Sequence, residues 1–212
     1  MLRMNRYAGA ERRALADALE AAGPDAPTLC EGWATRDLAA HVVLRERRPD
    51  VAVGLVVPAL RGHVDRVLRA RAATPYPQLL ADLRQPPWWS PISNPLLDGA
   101  LNATEFFVHH EDVRRGRAGW APRELSPAYA SAIWGQVRAM ARWSLRRWRG
   151  AVLLDAPGYG QYRAGLGGEP VRVTGAPAEL LLFLTGRQRD TRTQVTGTPV
   201  LADRLRGARL GV

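Results

Sequence analysis

Apolar positions recur three and four residues apart over roughly the first two thirds of the chain. That spacing predicts amphipathic helices there. Leu15 and Leu19, with Ala8, Ala18 and Ala22, mark a helix over 7–22, closed by Gly23-Pro24. A second helix is expected to start at Thr35, read as its N-cap, with Asp37 in its first turn, and to stop before Pro49. Further helices are expected from Pro58 to 73, over 77–84, 95–115 and 127–149. After Gly150 the pattern shortens. Strands are expected over 151–155, 161–164 and 171–174, with 165–168 as a hairpin loop, and another over 193–196. Helices are expected over 177–186 and 199–206. The chain thus reads as mainly α, with a helical domain over 1–150 and a small α+β domain over 151–212.

Two local patterns qualify this outline. Residues 85–95 hold Pro86, Pro87, Pro91 and Pro95 around Trp88 and Trp89. So many prolines exclude helix and central strand. The tryptophans are expected to pack as a flap over the domain or to wall a pocket. Second, Val173-Thr174-Gly175-Ala176-Pro177 returns as Val195-Thr196-Gly197-Thr198-Pro199. Each copy reads as a strand end, a glycine turn and a proline in the first helical turn.

Composition narrows the class. The chain has 212 residues, 46% hydrophobic and 24% charged, with one cysteine, Cys30. A disordered chain and an internal disulfide framework are excluded. No apolar run approaches the roughly 20 residues of a membrane helix, and the N-terminal residues lack a signal-peptide core. A cytoplasmic protein without a membrane partner is expected. The net charge is +10, and every basic residue is arginine. The densest stretch runs from Arg142 to Arg149 and includes Trp143 and Trp148. It fits either a helix end whose arginines complement the dipole or a surface for nucleic acid or anionic membrane. No nucleic-acid motif accompanies it, so the first reading is preferred.

The candidate chemistry lies among the four histidines, His41, His63, His109 and His110. Glu105 and His109 are four apart on a predicted helix, so their side chains share a face and can chelate one cation. At about 100° per residue, Leu101, Glu105, Val108, His109 and Asp112 form one stripe. His110 points away from Leu101. On the second helix, Leu38, His41, Val42 and Arg45 form another stripe. If both stripes face the interior, His41 can meet Glu105 and His109. Two histidines and a carboxylate with open positions make a catalytic zinc or iron arrangement, of the kind helical bundles build from facing helices. Asp37 or Asp112 could orient a ring nitrogen. A solvated Glu–His pair is the plainer alternative. Arg45 could hold an acidic substrate or be a surface cation. His63 is read as a surface or packing residue, and Cys30 as a small buried hydrophobe, with a metal ligand or nucleophile as its alternative.

The segment Thr28-Leu29-Cys30-Glu31-Gly32-Trp33, followed by Asp37-Leu38-Ala39-Ala40-His41, resembles the second-helix entry of the mycothiol-dependent maleylpyruvate isomerase family, within the DinB-like superfamily. Glu105-Phe106-Phe107-Val108-His109-His110-Glu111-Asp112-Val113 resembles its second motif. The stretch from Glu179 to Arg187 resembles the sterol-carrier-like domain that follows the bundle. The signatures are also similar to an actinobacterial subgroup described only as metal-binding. This resemblance implies a DinB-like four-helix bundle with a small α+β domain. It also implies a divalent metal, zinc before nickel or iron, on His41, Glu105 and His109. Mycothiol is the implied co-substrate, in thiol transfer or thiol-dependent isomerisation of a small electrophile, with Arg45 a candidate for binding. A metal-binding module without catalysis and a basic nucleic-acid or anionic-surface binder are the alternatives. A homodimer is compatible with either.

Overall fold

The computed structural model describes residues 2–48, 50–51, 61–89 and 95–211. The expected helix start at Pro58, the tip of the tryptophan loop at 90–94 and the side chain of Leu101 lie outside the described residues. Two compact units are present, Leu2–Trp120 and Ala121–Val212.

The first unit is helical. It contains α1 (Leu2–Ala22), α2 (Thr35–Arg47), α3 (Arg61–Ala72), α4 (Tyr76–Arg84) and α5 (Pro95–Arg115). Helix α1 packs along α5, while α2 packs on α3 and α4. Their apolar stripes meet in one core of Leu15, Leu19, Leu38, Val42, Leu79, Leu83, Phe106 and Val113. Buried within this unit, Arg12 of α1 forms an ion pair with Glu46 of α2 and donates to the Leu83 carbonyl at 3.0 Å. Its guanidinium also lies 4.5 Å from the centre of the Phe106 ring.

Two expectations are corrected here. The N-cap of α2 is Ala34, not Thr35. The Thr35 hydroxyl instead donates to the Gly23 carbonyl, and the Asp37 carboxylate accepts the Ala34 N–H at 2.9 Å. Asp37 therefore secures the helix start, which is where an acid is best placed against the dipole. Trp88 and Trp89 are 93% and 50% exposed, so Trp88 is not packed as a flap.

The second unit holds α6 (Pro127–Ser144), a four-stranded sheet and two short helices. The strands are β1 (Val152–Ala156), β2 (Gly160–Ala164), β3 (Val171–Thr174) and β4 (Gln194–Thr196), in the order β2-β1-β3-β4. Helix α7 (Pro177–Leu184) packs on α6 and β1, and α8 (Pro199–Arg206) on β4. Since α6 packs on α7 and β2, it groups with the sheet. The compact units therefore divide after Trp120, ahead of the change in sequence character at Gly150. Residues 165–168 are not a hairpin loop. They carry the chain from β2 across β1, so that β3 pairs with β1 in parallel. Gly165 passes so close to the Gly150 carbonyl that a Cβ there would lie 2.1 Å from it. Both Val-Thr-Gly repeats do form strand-to-helix corners, β3 to α7 and β4 to α8, with proline in the first helical turn.

Helix α6 ends at Ser144, short of the expected 149. Of the arginine-rich stretch, Arg142 lies in its last turn. Arg146 lies beyond it, donates back to the Trp143 carbonyl at 2.8 Å and stacks on that indole at 3.9 Å. That satisfies a terminal helix carbonyl, as the dipole argument requires.

Candidate metal centre

Helices α2 and α5 bring three predicted residues together. The stripe on α2 turns Leu38 and Val42 into the core, which places His41 at the edge of that core, facing α5. One turn further, Arg45 follows. On α5, Phe106 is buried in the same core, so Glu105 and His109 border it from the other side.

The meeting point is a single carboxylate oxygen. Oε1 of Glu105 lies 3.1 Å from His109 Nε2 and 3.5 Å from His41 Nε2. The two imidazole rings stand edge to face, with centroids 5.3 Å apart. The donor atoms of all three residues fall within 4.8 Å of one another. A tetrahedral ion bonded at about 2.1 Å would require donors about 3.4 Å apart, and the two Glu105 distances bracket that value. The residues therefore fit a divalent cation. Arg45 points at the same oxygen, with Nε at 3.7 Å, and is held by a 2.6 Å bond from Nη1 to Asn102 Oδ1.

A second set of donor atoms adjoins the first. Asp112 Oδ2 accepts from His109 Nδ1 at 2.9 Å and from the Cys30 thiol at 3.3 Å. Cys30, His109 and Asp112 also have donor atoms within 4.8 Å of one another. Access separates the two sets. The Asp112 side chain has no exposure and that of His109 only 9%, whereas that of Glu105 is 31% exposed. Solvent reaches the cluster from the Glu105 side.

The charges fit the same geometry. Burial would raise the Glu105 pKa, but hydrogen bonds from His109 and His41 and the positive charges of His109 and Arg45 hold it well below the usual carboxylate range. Burial would lower that of His109, but the bonds to Asp112, Cys30 and Glu105 hold it well above the usual imidazole value. His41 is lowered, chiefly by burial and by the neighbouring cations His109 and Arg45, against the pull of Glu105. Glu105 and His109 are thus each favoured in the charged form by the other, at the point where their donor atoms meet.

The other histidines lie elsewhere. His63 pairs with Asp50 at 3.0 Å on the surface. His110 is buried, with Nδ1 3.3 Å from Glu11 Oε2 on α1. The bond from Cys30 to Asp112 was not legible in the sequence. It depends on a loop crossing to α5, and the only signal was the motif Thr28-Leu29-Cys30-Glu31-Gly32-Trp33 in which Cys30 sits.

Comparison with known proteins gives a consistent placement. Residues 6–114 match the family described as the mycothiol maleylpyruvate isomerase N-terminal domain. No curated protein sequence matches the chain. Two crystal structures share its fold. One is a mycothiol-dependent maleylpyruvate isomerase, at 16% identity and a TM-score of 0.61. The other is a histidine-to-alanine mutant of such an isomerase, at 15% and 0.60. Each alignment covers 92% of this chain and 93% of the other.

Proposed function

The chain belongs to the mycothiol maleylpyruvate isomerase N-terminal domain family, and on that premise we propose that it is a divalent-metal-dependent enzyme. It uses a low-molecular-weight thiol, mycothiol, to isomerise or transfer to a small electrophilic substrate. The observation that carries this reading is the convergence of His41, His109 and Glu105 on one point, with Glu105 partly exposed. Imidazole and carboxylate donors suit zinc first, with nickel and iron also accommodated. When bound, such an ion stabilises a thiolate at neutral pH.

The residues of the chain do the remainder. Asp112 holds the Nδ1–H of His109, which leaves Nε2 as the donor facing Glu105. Glu105 stays ionised through its hydrogen bonds. Trp33 lies against His41, with ring centroids 5.1 Å apart and planes tilted by 50°, and limits the rotation of that ring. Arg45, fixed by Asn102, presents a permanent cation beside the open side, where it binds the carboxylate of an acidic substrate or co-substrate.

The test is elemental analysis of protein purified without chelators or a metal-binding tag, beside His41→Ala and His109→Ala. About one ion per chain, lost in both variants, is expected, with mycothiol-dependent turnover of maleylpyruvate or a related electrophile that stops on chelation while the far-ultraviolet circular dichroism persists. Stoichiometric metal in His109→Ala would overturn the ligand set. Cooperative unfolding on chelation would replace catalysis with a structural metal.

A further inference from the structure

The segment between α1 and α2 touches both histidines of the proposed centre. Trp33 lies against His41 at one end. At the other, the Leu29 N–H donates to the Asp112 carbonyl at 3.1 Å, tying the loop to α5. Between them, the Thr28 hydroxyl donates to the Trp33 carbonyl at 2.9 Å and accepts the Cys30 N–H at 3.1 Å. Cys30 is thereby set in one place. Its thiol donates to Oδ2 of Asp112, the same oxygen that accepts from His109 Nδ1.

Asp112 is fully buried. Its carboxylate can turn about its last side-chain bond, a soft rotation, and a partial turn, short of the half-turn that exchanges the two equivalent oxygens, would swing the acceptor off the His109 Nδ1–H direction. A donor on each side of Oδ2 resists that turn. The geometry assigns Cys30 a positioning role: its thiol holds the Asp112 carboxylate in the rotation that grips His109 Nδ1–H and so aims His109 Nε2 at Glu105 and His41. The assignment rests on the metal reading above for its purpose, but its geometry stands in the metal-free protein. A direct ligand role for the sulfur is disfavoured by position, since Cys30 faces the closed Nδ1 side of the ring.

Two measurements on the whole chain test this, in the wild type, Cys30→Ser, Cys30→Ala and the space-filling Cys30→Val. One is cobalt(II) titration followed by visible and near-ultraviolet absorption. The other is hydrogen exchange of the His109 Nδ1 proton in metal-free protein, by nuclear magnetic resonance. Cys30→Ser keeps a donor, whereas Ala and Val do not. Loss of the donor is expected to weaken cobalt binding about tenfold or more and to speed exchange of the Nδ1 proton, with Cys30→Ser restoring both. No thiolate-to-cobalt charge-transfer band is expected in the wild type. Unchanged binding and exchange in both Cys30→Ala and Cys30→Val would overturn the proposal, as would a thiolate charge-transfer band. If the wild type takes up no cobalt while the exchange order holds, the metal reading fails and the positioning role stands.

Discussion

The carbonyl of Pro27 lies so close to Gly116 that a Cβ at that glycine would stand 2.3 Å from the oxygen. The end of α5 and the start of the loop carrying Cys30 are in backbone contact, and only the absence of a side chain permits it. Gly116→Ala must move one of the two backbones. We expect a loss of about 1–3 kcal/mol, as for other overpacked sites, measured by urea unfolding. Displacement of the 27–33 loop should also weaken metal binding, which titration would detect.

Acidity should govern metal uptake. His109 must offer Nε2 without a proton, yet its pKa is held well above the imidazole norm by Asp112, Cys30 and Glu105. Protons therefore compete strongly, and affinity should fall as pH falls, with a midpoint above about 6.5. In metal-free protein the signs differ. The depressed Glu105 stabilises the fold above its unfolded value of about 4.3, and this is lost as pH falls through its folded value. The raised His109 stabilises below about 6.5, and this is lost as pH rises through its folded value. Both contributions coexist between those two values, so the melting temperature of metal-free protein should peak there. A flat profile in the wild type would contradict the pairing.

Arg45→Met keeps the length of the stem and removes the cation. Metal content should be unchanged, because Arg45 is no ligand. The KM for an acidic substrate should rise by roughly 10- to 150-fold, the equivalent of about 1.5–3 kcal/mol for a charged hydrogen bond. A fall in kcat alone would place Arg45 outside substrate binding.

The Arg12–Glu46 pair is buried against Phe106. Glu46→Ala leaves the guanidinium without its carboxylate in the core and should cost about 3–5 kcal/mol. The double replacement Arg12→Leu with Glu46→Leu should recover most of that in equilibrium unfolding, since no unpaired charge remains.

Much of the local structure was readable because helical periodicity is local. Glu105 and His109 share a face whatever surrounds them, and α5 spans the expected Pro95–Arg115. That His41 would approach them depended on which way the α2 stripe turned, and Leu38 and Val42 show that it turns inward. What could not be read were contacts between segments distant in sequence. Cys30 reaches Asp112 across 82 residues, which no local spacing announces, whereas Asp37 serves the helix start as its place in the first turn indicated. The parallel pairing of β1 with β3 is invisible in strands this short, because alternation reports a face and not a neighbour. Helix α6 stops at Ser144 although Leu145, Arg146 and Arg147 are good helix formers.

His109 engages two partners through the two nitrogens of one ring. Cysteine or aspartate in its place would still bring a metal donor to the Glu105 side, but neither offers a second, oppositely directed group to Asp112. His109→Cys or His109→Asp would therefore leave a fully buried carboxylate with the Cys30 thiol and no imidazole. At this position the choice of amino acid is constrained as much by the acid behind the ring as by any ion in front of it.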